Sequence, residues 1–600
     1  MAEDKAVQAG KHIARIFKEE GIQYYFGLVG GEMYTLMVAC GMEGIKLVHV
    51  RHEQAGPYAA DGYARGSGKV GIAYGTSGPG VTNMVSGVAH AQKSRSPVVC
   101  FMGHHSTITD GRDALQECNP DRILPSITKW TRTILNTQTI AYFTKKAIRD
   151  AMTWPQGCVC LIFPADIMSR RTTMAQQVGF VPNAYEQPLP SMGNPAAVAK
   201  AVDTLINAQK PVIAGGQDIF WSHAEDELRE FVELCNIPVI TRRQGRGAVP
   251  EDHPLAFRGG ARGRILRASD VACIIGLRLD FLEGYGAWAL GKRLIQITQS
   301  EGDIETTAPT EQIVLGNPKM VLRQMIDYVK QTYKGKIPGK EAWLAQVDAL
   351  KAAEEKELAD ELEKNKNNKP IHPAWVADQS LSVLEDDATV ILDGRTSSTH
   401  TTPRFIAKKS ARLLDSGLWA GVGHGVAMGI GAQLARPGKQ VLVIMGDGGM
   451  GLGGWDFETA VRCQTPVVYQ VNNNRVWHAI AGPKFLHAIK LVGEEPTIHP
   501  AFMHETDYAK FAECCGGIGI RCEDPKDVAA AHARAFELAH AQNRPAIVDV
   551  IVDPTVGGPS ETAEYENMEL MRKRLAWLDP EDLDETYRKE FFPELAGKKG

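Results

Sequence analysis

The sequence lacks any uninterrupted apolar run close to the length that a membrane helix needs. Hydrophobic residues make up 44% of the 600 residues, but they occur in short stretches, whereas a bilayer-spanning helix takes about 20 consecutive apolar residues. The first twenty residues form a charged, amphipathic helical pattern without the apolar core of a signal peptide. We therefore expect no membrane partner and a cytoplasmic location.

The sequence also lacks a strong excess of charge and has few cysteines. Its 66 Lys and Arg against 71 Asp and Glu leave a net charge of −5, which gives no electrostatic footprint for nucleic acid. The eleven cysteines are odd in number, and several lie inside apolar segments, among them Cys100, Cys158, Cys160 and Cys273. This pattern favours reduced, buried thiols over a disulfide framework.

Short apolar segments alternate with helical patterns along most of the chain. Such segments predict buried strands of parallel sheets. Twelve of them, in chain order, are YYFGLV, KLVHV, VGIAYGT, PVVCFMG, CVCLIFP, PVIAGG, VACIIGL, RLIQIT, TVILDG, QVLVIMGDG, PVVYQVNNN and AIVDVIVD. We therefore predict an α/β protein with doubly wound parallel sheets.

Changes in composition divide the chain into three blocks and a tail. Residues 1–185 end in a segment rich in Pro and Asn, residues 190–335 form the second block, and residues 370–555 form the third. Between the second and third blocks lies a charged helical pattern that we expect to be solvated. Residues 556–600 form a charged, helical-looking C-terminal tail.

The stretch VLVIMGDGGMGLGGWDFETAVRCQTPVVYQVNNN, residues 441–474, places polar groups after two successive strands. In an open α/β sheet, ligands bind beyond the carboxyl ends of the strands. The Asp447 carboxylate, an Asn amide oxygen and a downstream main-chain carbonyl would suit Mg²⁺, which shares its oxygen ligands with phosphates. The glycines Gly446, Gly448 and Gly449 would let N–H groups approach a phosphate, and GGWDFETAVRC would offer it a helix N-terminus.

This pattern of Gly-Asp-Gly and a later asparagine pair resembles the signature of the thiamine diphosphate enzymes. The resemblance implies that Asp447, one asparagine and one main-chain carbonyl hold Mg²⁺, which in turn holds the diphosphate of the cofactor. Two assignments stay open. The end of the apolar strand slightly favours Asn473 with the carbonyl of Arg475, whereas the spacing from Asp447 favours Asn474 with the carbonyl of Val476.

A second segment carries the same resemblance in the first block. VHVRHEQAGPYAADGYARGSGKVGIAYGTSGPGVTN is similar to the pyrimidine-binding segment of the acetolactate synthase and 2-hydroxyacyl-CoA lyase group. The resemblance implies that Glu53 is catalytic, with its carboxylate hydrogen-bonded to N1′ of the aminopyrimidine, and that Asn83 contacts the cofactor. It also places Gly30 of YYFGLVGG at the cofactor edge and Gln116 of LQECNPDR near the reactive carbon.

Other positions in the third block match the same group. Val422 aligns with the bulky apolar residue that props the cofactor into its bent shape, often Met in relatives. Gly394, Arg395 and Thr396 follow the strand TVILD and lie where relatives contact the diphosphate.

The resemblance covers roughly residues 5–555 and implies a quaternary structure as well as a fold. Three doubly wound domains are expected: pyrimidine-binding, middle and diphosphate-binding, followed by the helical tail. The cofactor would lie between the first domain of one subunit and the third domain of its partner. The expected assembly is therefore a homodimer, often doubled to a homotetramer.

The substrate is less well determined by these motifs. GLRLDFLEGYG, residues 276–286, resembles the ADP-binding turn of oxalyl-CoA decarboxylase and 2-hydroxyacyl-CoA lyase, which would make Arg278 a nucleotide contact. Thr298 stands where relatives carry a ribose-binding Asp, so ADP, FAD and no ligand all stay open for the middle domain. GRGAVPEDHPL, by contrast, resembles acetolactate synthase.

We predict a lyase that cleaves a 2-hydroxyacyl-CoA reversibly to an aldehyde or ketone and formyl-CoA. The alternatives are a carboligase on 2-oxo acids or aldehydes, like acetolactate synthase or benzaldehyde lyase, and a flavin-dependent oxidoreductase like pyruvate oxidase. Substrate contacts are expected from Trp477, His478 and Glu494 or Glu495, because the segment after the magnesium loop usually shapes the pocket. The C-terminal tail resembles a lid over the active site.

Overall fold

Three parallel sheets, one in each block of the sequence, organise the chain. The computed structural model describes residues 5–177, 190–305, 308–334, 337, 339–477, 504–554 and 556. Within these ranges each sheet is flanked by helices, so the expected class of three α/β domains is confirmed. Apart from residue 556, the C-terminal tail lies outside the described residues.

The first sheet has six parallel strands in the order β3-β2-β4-β5-β7-β6, and a short antiparallel pair, β1 with β8, lies beside it. The strands are β1 (Val7–Gln8), β2 (Tyr24–Gly27), β3 (Lys46–His49), β4 (Gly71–Gly75), β5 (Val98–His104), β6 (Trp130–Thr133), β7 (Cys158–Pro164) and β8 (Arg171–Thr172). The helices are α1 (Ala9–Glu19), α2 (Tyr34–Met42), α3 (Ala55–Ser67), α4 (Pro79–Lys93), α5 (Pro120–Ile123), α6 (Ile140–Met152) and α7 (Ala165–Ser169).

The middle sheet has five parallel strands in the order β10-β9-β11-β12-β13. They are β9 (Pro211–Gly215), β10 (Val239–Thr241), β11 (Val271–Ile275), β12 (Arg293–Thr298) and β13 (Thr310–Leu315). The helices of this part are α8 (Pro195–Asn207), α9 (Gln217–Trp221), α10 (Glu225–Cys235), α11 (Ala261–Ala268), α12 (Pro318–Thr332) and α13 (Glu341–Asn365). From β9 the chain continues to β10 on one side of β9 and then returns to β11 on its other side. The strand order therefore reverses between β9 and β11.

The third sheet has six parallel strands in the order β15-β14-β16-β17-β19-β18. They are β14 (Thr389–Asp393), β15 (Leu413–Asp415), β16 (Val441–Gly446), β17 (Val468–Asn473), β18 (Ile518–Cys522) and β19 (Ala546–Ile551). The helices are α14 (Pro373–Leu381), α15 (Arg395–Thr401), α16 (Gly425–Ala435), α17 (Asp447–Gly453), α18 (Phe457–Arg462), α19 (Tyr508–Cys514) and α20 (Val528–Gln542).

Helices α3 and α16 join the first and third domains through glycine contacts. A methyl group built on Gly431 would overlap the carbonyl oxygen of Ala59, and one on Gly62 would overlap the carbonyl oxygen of Met428. The two backbones therefore touch, as only glycine permits. The same apolar cluster runs through both helices and joins the two sheets into one core.

The sequence suggested that the charged segment before the third domain is a solvated helical linker. The segment is helical, but one face of it is buried. It forms the 25-residue helix α13, in which Trp343 and Val347 are 2% and 1% exposed. The buried Glu354 carboxylate accepts hydrogen bonds from the N–H groups of Gly260 and Ala261 at the start of α11. The prediction failed because four buried positions suffice to dock a helix whose other faces are charged.

All eleven cysteines lie in the described part of the chain as free thiols. No helix in that part combines the length and apolar composition required to cross a bilayer.

Candidate functional site

Glu53 lies in the turn that follows β3 and leads into α3. Its carboxylate is 7% exposed, and it accepts a hydrogen bond of 2.9 Å from the amide nitrogen of Asn83, one turn into α4. The turn itself is held by the main-chain N–H of Gly56, which donates to the carbonyl of Glu53. The structure therefore brings together two of the predicted cofactor contacts.

Gly30 and Gln116 converge on the loop between β4 and α4. The main-chain N–H of Gly30 donates to the Tyr74 hydroxyl at 3.2 Å, and a methyl group on Gly30 would overlap the Thr76 side chain. The Gln116 side-chain oxygen accepts a hydrogen bond of 2.8 Å from the Ser77 hydroxyl. Gln116 is exposed and has a positive φ of 60°, a backbone conformation that is uncommon for residues other than glycine.

Asp447 lies at the end of β16, at the carboxyl edge of the third sheet. Its carboxylate is 4% exposed and accepts main-chain hydrogen bonds from Gly448 at 2.8 Å and from Arg475 at 2.5 Å. Burial, with a smaller contribution from the nearby Asp549, raises its pKa to about 6. The two strand ends meet as expected, because the Asp447 loop contacts the backbone that follows the asparagines.

The two candidate asparagines point to different partners, because successive strand residues face opposite sides of a sheet. The side-chain nitrogen of Asn473 donates to the Asp549 carboxylate at 3.0 Å and to the Thr506 carbonyl at 2.9 Å. The side-chain oxygen of Asn474 accepts the N–H of Val476 at 3.0 Å, in the turn whose backbone reaches Asp447. The choice between Asn473 and Asn474 stays open here, because only the side-chain nitrogen of Asn473 is engaged with Asp549, whereas a metal would bind a side-chain oxygen.

The chemistry of this edge fits a divalent cation and a phosphate. A buried carboxylate without a cation costs free energy, and Asp447 forms no ion pair within the described ranges. A cation would meet carboxylate, amide and carbonyl oxygens, the donors that Mg²⁺ prefers. Nothing lies within 4 Å of a methyl group built on Gly446, which leaves room beside Asp447.

Helix α17 begins at Asp447 itself, earlier than the sequence suggested. The segment GGWDFETAVRC was expected to supply the helix that faces a phosphate, but it holds the end of α17, a turn and α18. Gly448 and Gly449 therefore lie in the first turn of α17. A methyl group on Gly448 would come within 3.0 Å of the Trp477 ring, so this predicted substrate residue packs on the Asp447 loop.

Asp393 connects the other predicted cofactor contacts of the third domain. It ends β14 just before Gly394, Arg395 and Thr396, and it is fully buried. Both of its carboxylate oxygens accept the N–H of Gly423 at 3.0 Å, and one accepts the N–H of Gly425 at 2.7 Å.

The Asp393 contacts fix the backbone on the C-terminal side of Val422. The His424 ring holds the other side, because its two nitrogens lie 3.0 and 3.1 Å from the carbonyls of Gly421 and Leu392. A methyl group on Gly449 would come within 3.3 Å of the Asp393 carboxylate. The segment that carries Val422 is therefore held against the Asp447 loop.

A cavity of about 770 Å³ lies among the three domains. Predicted residues of two kinds line it: Gly394, Arg395 and Val422 from the cofactor set, and Arg278 from the nucleotide set. Thr298 also faces this cavity. Cationic side chains outnumber acidic ones in its lining, which suits an anionic ligand; they are Arg65, Lys93, Arg95, Arg242, Arg243, Arg246, Arg278 and Arg395.

Within one chain, the segment of Glu53 reaches the helix that begins at Asp447 through Gln54, whose side-chain nitrogen donates to the carbonyl of Leu452 at 3.5 Å. No hydrogen bond between described residues joins the Glu53–Asn83 pair to Asp447. The two domains meet instead beside Glu53, where the Asp456 carboxylate accepts the N–H of Arg51 at 2.8 Å and Arg462 donates to the carbonyl of His49 at 2.6 Å.

Three of the predicted substrate residues, His478, Glu494 and Glu495, lie outside the described residues, as does the lid-like tail. Three residues that the sequence reasoning missed are Asp393, Asp456 and Asp549. Of these, Asp393 had the same signal as Asp447, an Asp-Gly pair after an apolar strand. The other two roles depend on contacts between distant segments, which no local pattern reveals.

Comparison with known families finds matches along most of the chain. The N-terminal TPP binding domain of the thiamine pyrophosphate enzymes matches residues 7–123. The central domain of the same enzymes matches residues 198–325, and their C-terminal TPP binding domain matches residues 396–550.

The chain is similar to proteins named as acetolactate synthases and to proteins named as 2-hydroxyacyl-CoA lyases. A probable acetolactate synthase of Mycobacterium bovis is 31% identical over 562 residues, covering 92% of this chain and 97% of the relative. A 2-hydroxyacyl-CoA lyase of Arabidopsis thaliana is 27% identical, covering 92% and 97%. 2-Hydroxyacyl-CoA lyase 1 of Mus musculus is 25% identical, covering 92% and 95%.

Proposed function

Because the chain belongs to the thiamine pyrophosphate enzyme family, and is a thiamine-dependent C–C lyase or transferase, we propose that its substrate is a 2-hydroxyacyl-CoA. The reaction would cleave the thioester to an aldehyde or ketone and formyl-CoA, reversibly. The observation that carries this proposal is the cationic cavity among the three domains, which suits the adenosine diphosphate group of a CoA thioester or of a separate nucleotide. The relatives named 2-hydroxyacyl-CoA lyases support it.

The metal site we propose consists of Asp447, Asn474 and the main-chain carbonyl of Val476. Asn474 is preferred over Asn473 because it lies in the turn whose backbone contacts Asp447, whereas the Asn473 side chain is directed to Asp549 on the neighbouring strand. Mg²⁺ held there would bind the diphosphate of the cofactor, with Gly446, Gly448 and Gly449 leaving space for the phosphate oxygens. Gly394, Arg395 and Thr396 would contact the same diphosphate, and Val422 would support the cofactor from the adjacent segment.

Glu53 is the residue that we assign to proton handling. When bound, thiamine diphosphate supplies a carbon nucleophile that adds to the substrate carbonyl and takes up the electron pair of the broken C–C bond. The Glu53 carboxylate would hold a proton at the aminopyrimidine nitrogen N1′, and the hydrogen bond from Asn83 keeps that carboxylate oriented. Gln116 would face the reacting carbon from the loop of Ser77.

The cavity is proposed to bind an adenine nucleotide, either ADP or the ADP portion of FAD or CoA. Arg278 would contact its phosphates. Trp477 would contact the substrate, since its ring packs on the Asp447 loop.

We also propose that the active unit is a homodimer or a homotetramer in which Glu53 of one subunit serves the Asp447 site of its partner. The side chains of Leu115 and Ile108 near Gln116 support this, because they are 88% and 72% exposed. Apolar groups with such exposure mark contact surfaces when they cluster.

A second candidate is an acetolactate synthase-like carboligase, favoured by the 31% identical relative. One experiment separates the two. Purified protein with thiamine diphosphate and Mg²⁺ would be given a short 2-hydroxyacyl-CoA, with formyl-CoA as the readout, and in parallel pyruvate, with acetolactate and CO₂ as readouts. Formyl-CoA alone supports the lyase, and acetolactate alone overturns it. A flavin spectrum of the protein as purified would instead place FAD in the cavity.

A further inference from the structure

The middle sheet has a point where its strand order reverses, and two ionisable side chains without a hydrogen-bond partner among the described residues line the cavity there. Strands β9 and β11 are neighbours, but the chain leaves β9 toward β10 on the opposite side. In open α/β sheets, the crevice outside such a point is where ligands bind. Asp218 follows β9 and Arg278 follows β11, and both line the interdomain cavity.

The turns after these two strands are in direct contact. The N–H of Gly216 donates to the carbonyl of Ile275 at 2.8 Å, and a methyl group on Gly276 would overlap the Asp218 side chain. Gly276 also has a positive φ of 57°. The backbone therefore fixes the Asp218 carboxylate beside the turn that leads to Arg278.

Asp218 is a buried carboxylate that has no hydrogen-bond partner in the part of the chain that the structure describes. It is 1% exposed, and neither oxygen accepts a hydrogen bond from another described residue or is open to water. Leaving such a group unsatisfied destabilises the folded state, so folding alone gives no reason to keep it. Burial raises its pKa well above the usual value, against the opposing effect of Arg95 and Arg278.

The cations beside Asp218 are arranged to meet an anion. Arg95 forms a bidentate ion pair with Asp303, one contact of which is 2.6 Å. Arg278 forms no hydrogen bond or ion pair with any other described residue, and burial lowers its pKa, with Arg95 adding to this effect. A phosphate would draw these two guanidinium groups toward itself and uncover the Asp218 carboxylate.

We infer that Asp218 is a recognition residue of the cavity, accepting hydrogen bonds from hydroxyl or amino groups of a nucleotide whose phosphates lie on Arg278. This inference deepens the proposed function and rests on its nucleotide cavity. The chemistry required is that of an adenosine diphosphate group, which a free nucleotide and a CoA thioester share. Asp218 would then favour the binding of a nucleotide over that of a bare polyphosphate, because only the nucleotide has hydroxyl and amino groups that can donate hydrogen bonds to it.

The test is calorimetric titration of the holoenzyme with ADP, with coenzyme A and with inorganic pyrophosphate. We expect Asp218→Asn to weaken binding of ADP, coenzyme A or both about tenfold or more, the loss of a buried hydrogen bond, while pyrophosphate affinity changes less than about twofold. Arg278→Gln should weaken all ligands that the wild type binds. If Asp218→Asn weakens the binding of ADP alone, the ligand of the cavity is a separate nucleotide. If it weakens the binding of coenzyme A alone, the ligand is the CoA portion of the substrate.

The control is Asp280→Asn, a carboxylate of the same cavity that is already paired with Arg243 at 3.0 Å. Asp280→Asn should lower the melting temperature of the free protein, whereas Asp218→Asn should not. Equal ADP and coenzyme A affinity in wild type and Asp218→Asn, an equal loss for pyrophosphate, or a lower melting temperature of Asp218→Asn would overturn the inference while leaving the nucleotide cavity intact. If the wild type binds neither ADP nor coenzyme A, the nucleotide cavity itself is wrong.

Discussion

At the scale of single residues, Glu53 is the residue to which we assign proton transfer, and its surroundings fix its position. It is buried, it has one neutral hydrogen-bond partner in Asn83, and it lies at the entry to a helix that packs on the third domain. A carboxylate in such a position keeps a fixed orientation without forming an ion pair that would use up its charge.

The first prediction concerns this carboxylate. Glu53→Gln should bind thiamine diphosphate and Mg²⁺ within a few-fold of wild type but turn over about 10²–10⁴-fold more slowly, the range for loss of a positioned proton-transfer group. Asn83→Ala should give a smaller loss, since the carboxylate remains. Turnover and cofactor titration by calorimetry measure both effects, with the exposed Glu20→Gln as control. Near-normal turnover of Glu53→Gln would remove the proposed role.

The second prediction separates the two asparagines. Asn474→Ala and Asp447→Ala should lose Mg²⁺-dependent retention of thiamine diphosphate, because each removes a proposed metal ligand. Asn473→Ala should retain the cofactor but melt at a lower temperature, since Asp549 loses a buried hydrogen bond at a cost of about 1–3 kcal/mol. Equilibrium dialysis with Mg²⁺ and thermal melting are the two measurements. The reverse pattern would assign the metal to Asn473.

At this scale the sequence gives residue types more reliably than partners. The motifs led to Asp447 and Glu53, which the structure places at strand ends in buried turns. They left Asn473 and Asn474 open, because choosing between them requires knowing that Asp549, on a strand far along the chain, faces Asn473. The contacts of Asp393 with Gly423 and Gly425 were out of reach for the same reason.

At the scale of elements, strands that are buried on both faces can be predicted from the sequence, because they are continuously apolar. All twelve apolar segments named from the sequence contain a strand of the structure. The strands not named include five sheet edges, β6, β10, β13, β15 and β18, and several of these are polar or half-exposed. An edge strand needs only one neighbour and can therefore carry polar residues that hide it.

The third prediction tests the glycine contact between α3 and α16. Gly431→Ala should force the two helices apart and lower stability by about 1–3 kcal/mol, seen as a lower melting temperature. Because α3 begins beside Glu53, turnover should fall as well. Gly41→Ala, on the exposed face of α2 with no neighbour within 4 Å, is the control and should be neutral or slightly stabilising. Unchanged melting of Gly431→Ala would mean that the helices are not in backbone contact.

The fourth prediction concerns a buried histidine on α20. Burial lowers the pKa of His532 to about 4 from its usual 6.5. Between these pH values the imidazole is protonated in the unfolded state but not in the folded state. The free energy of unfolding should therefore fall as the pH drops from 6.5 to 4, by about 3 kcal/mol at most.

His532→Gln should reduce this acid sensitivity, because glutamine does not titrate. The measurement is the melting temperature between pH 7 and pH 4.5. His540→Gln, an exposed position on the same helix, serves as the control and should leave the pH dependence as it is in the wild type. Identical curves for His532→Gln and wild type would assign the acid sensitivity elsewhere.

At the scale of the whole molecule, the proposal that Glu53 of one subunit serves the Asp447 site of its partner makes the assembly testable. Glu53→Gln and Asp447→Ala should each be nearly inactive alone. After unfolding and refolding together, mixed dimers would hold one intact site and one doubly altered site, so about a quarter of wild-type activity should return. Activity assays before and after mixing check this. No recovery, with mixed dimers present by native mass spectrometry, would place both residues in one subunit's site.

The interdomain cavity has a consequence for how descendants of this protein could diverge. Asp218 and Arg278 belong to the middle domain, whereas Glu53 and Asp447 belong to the other two. Mutations in the middle portion of the gene could thus alter which nucleotide is admitted without touching the codons for proton handling or metal binding. Selection could act on the two portions independently, and a gene lineage could acquire a new ligand preference by a few substitutions while its chemistry stayed the same.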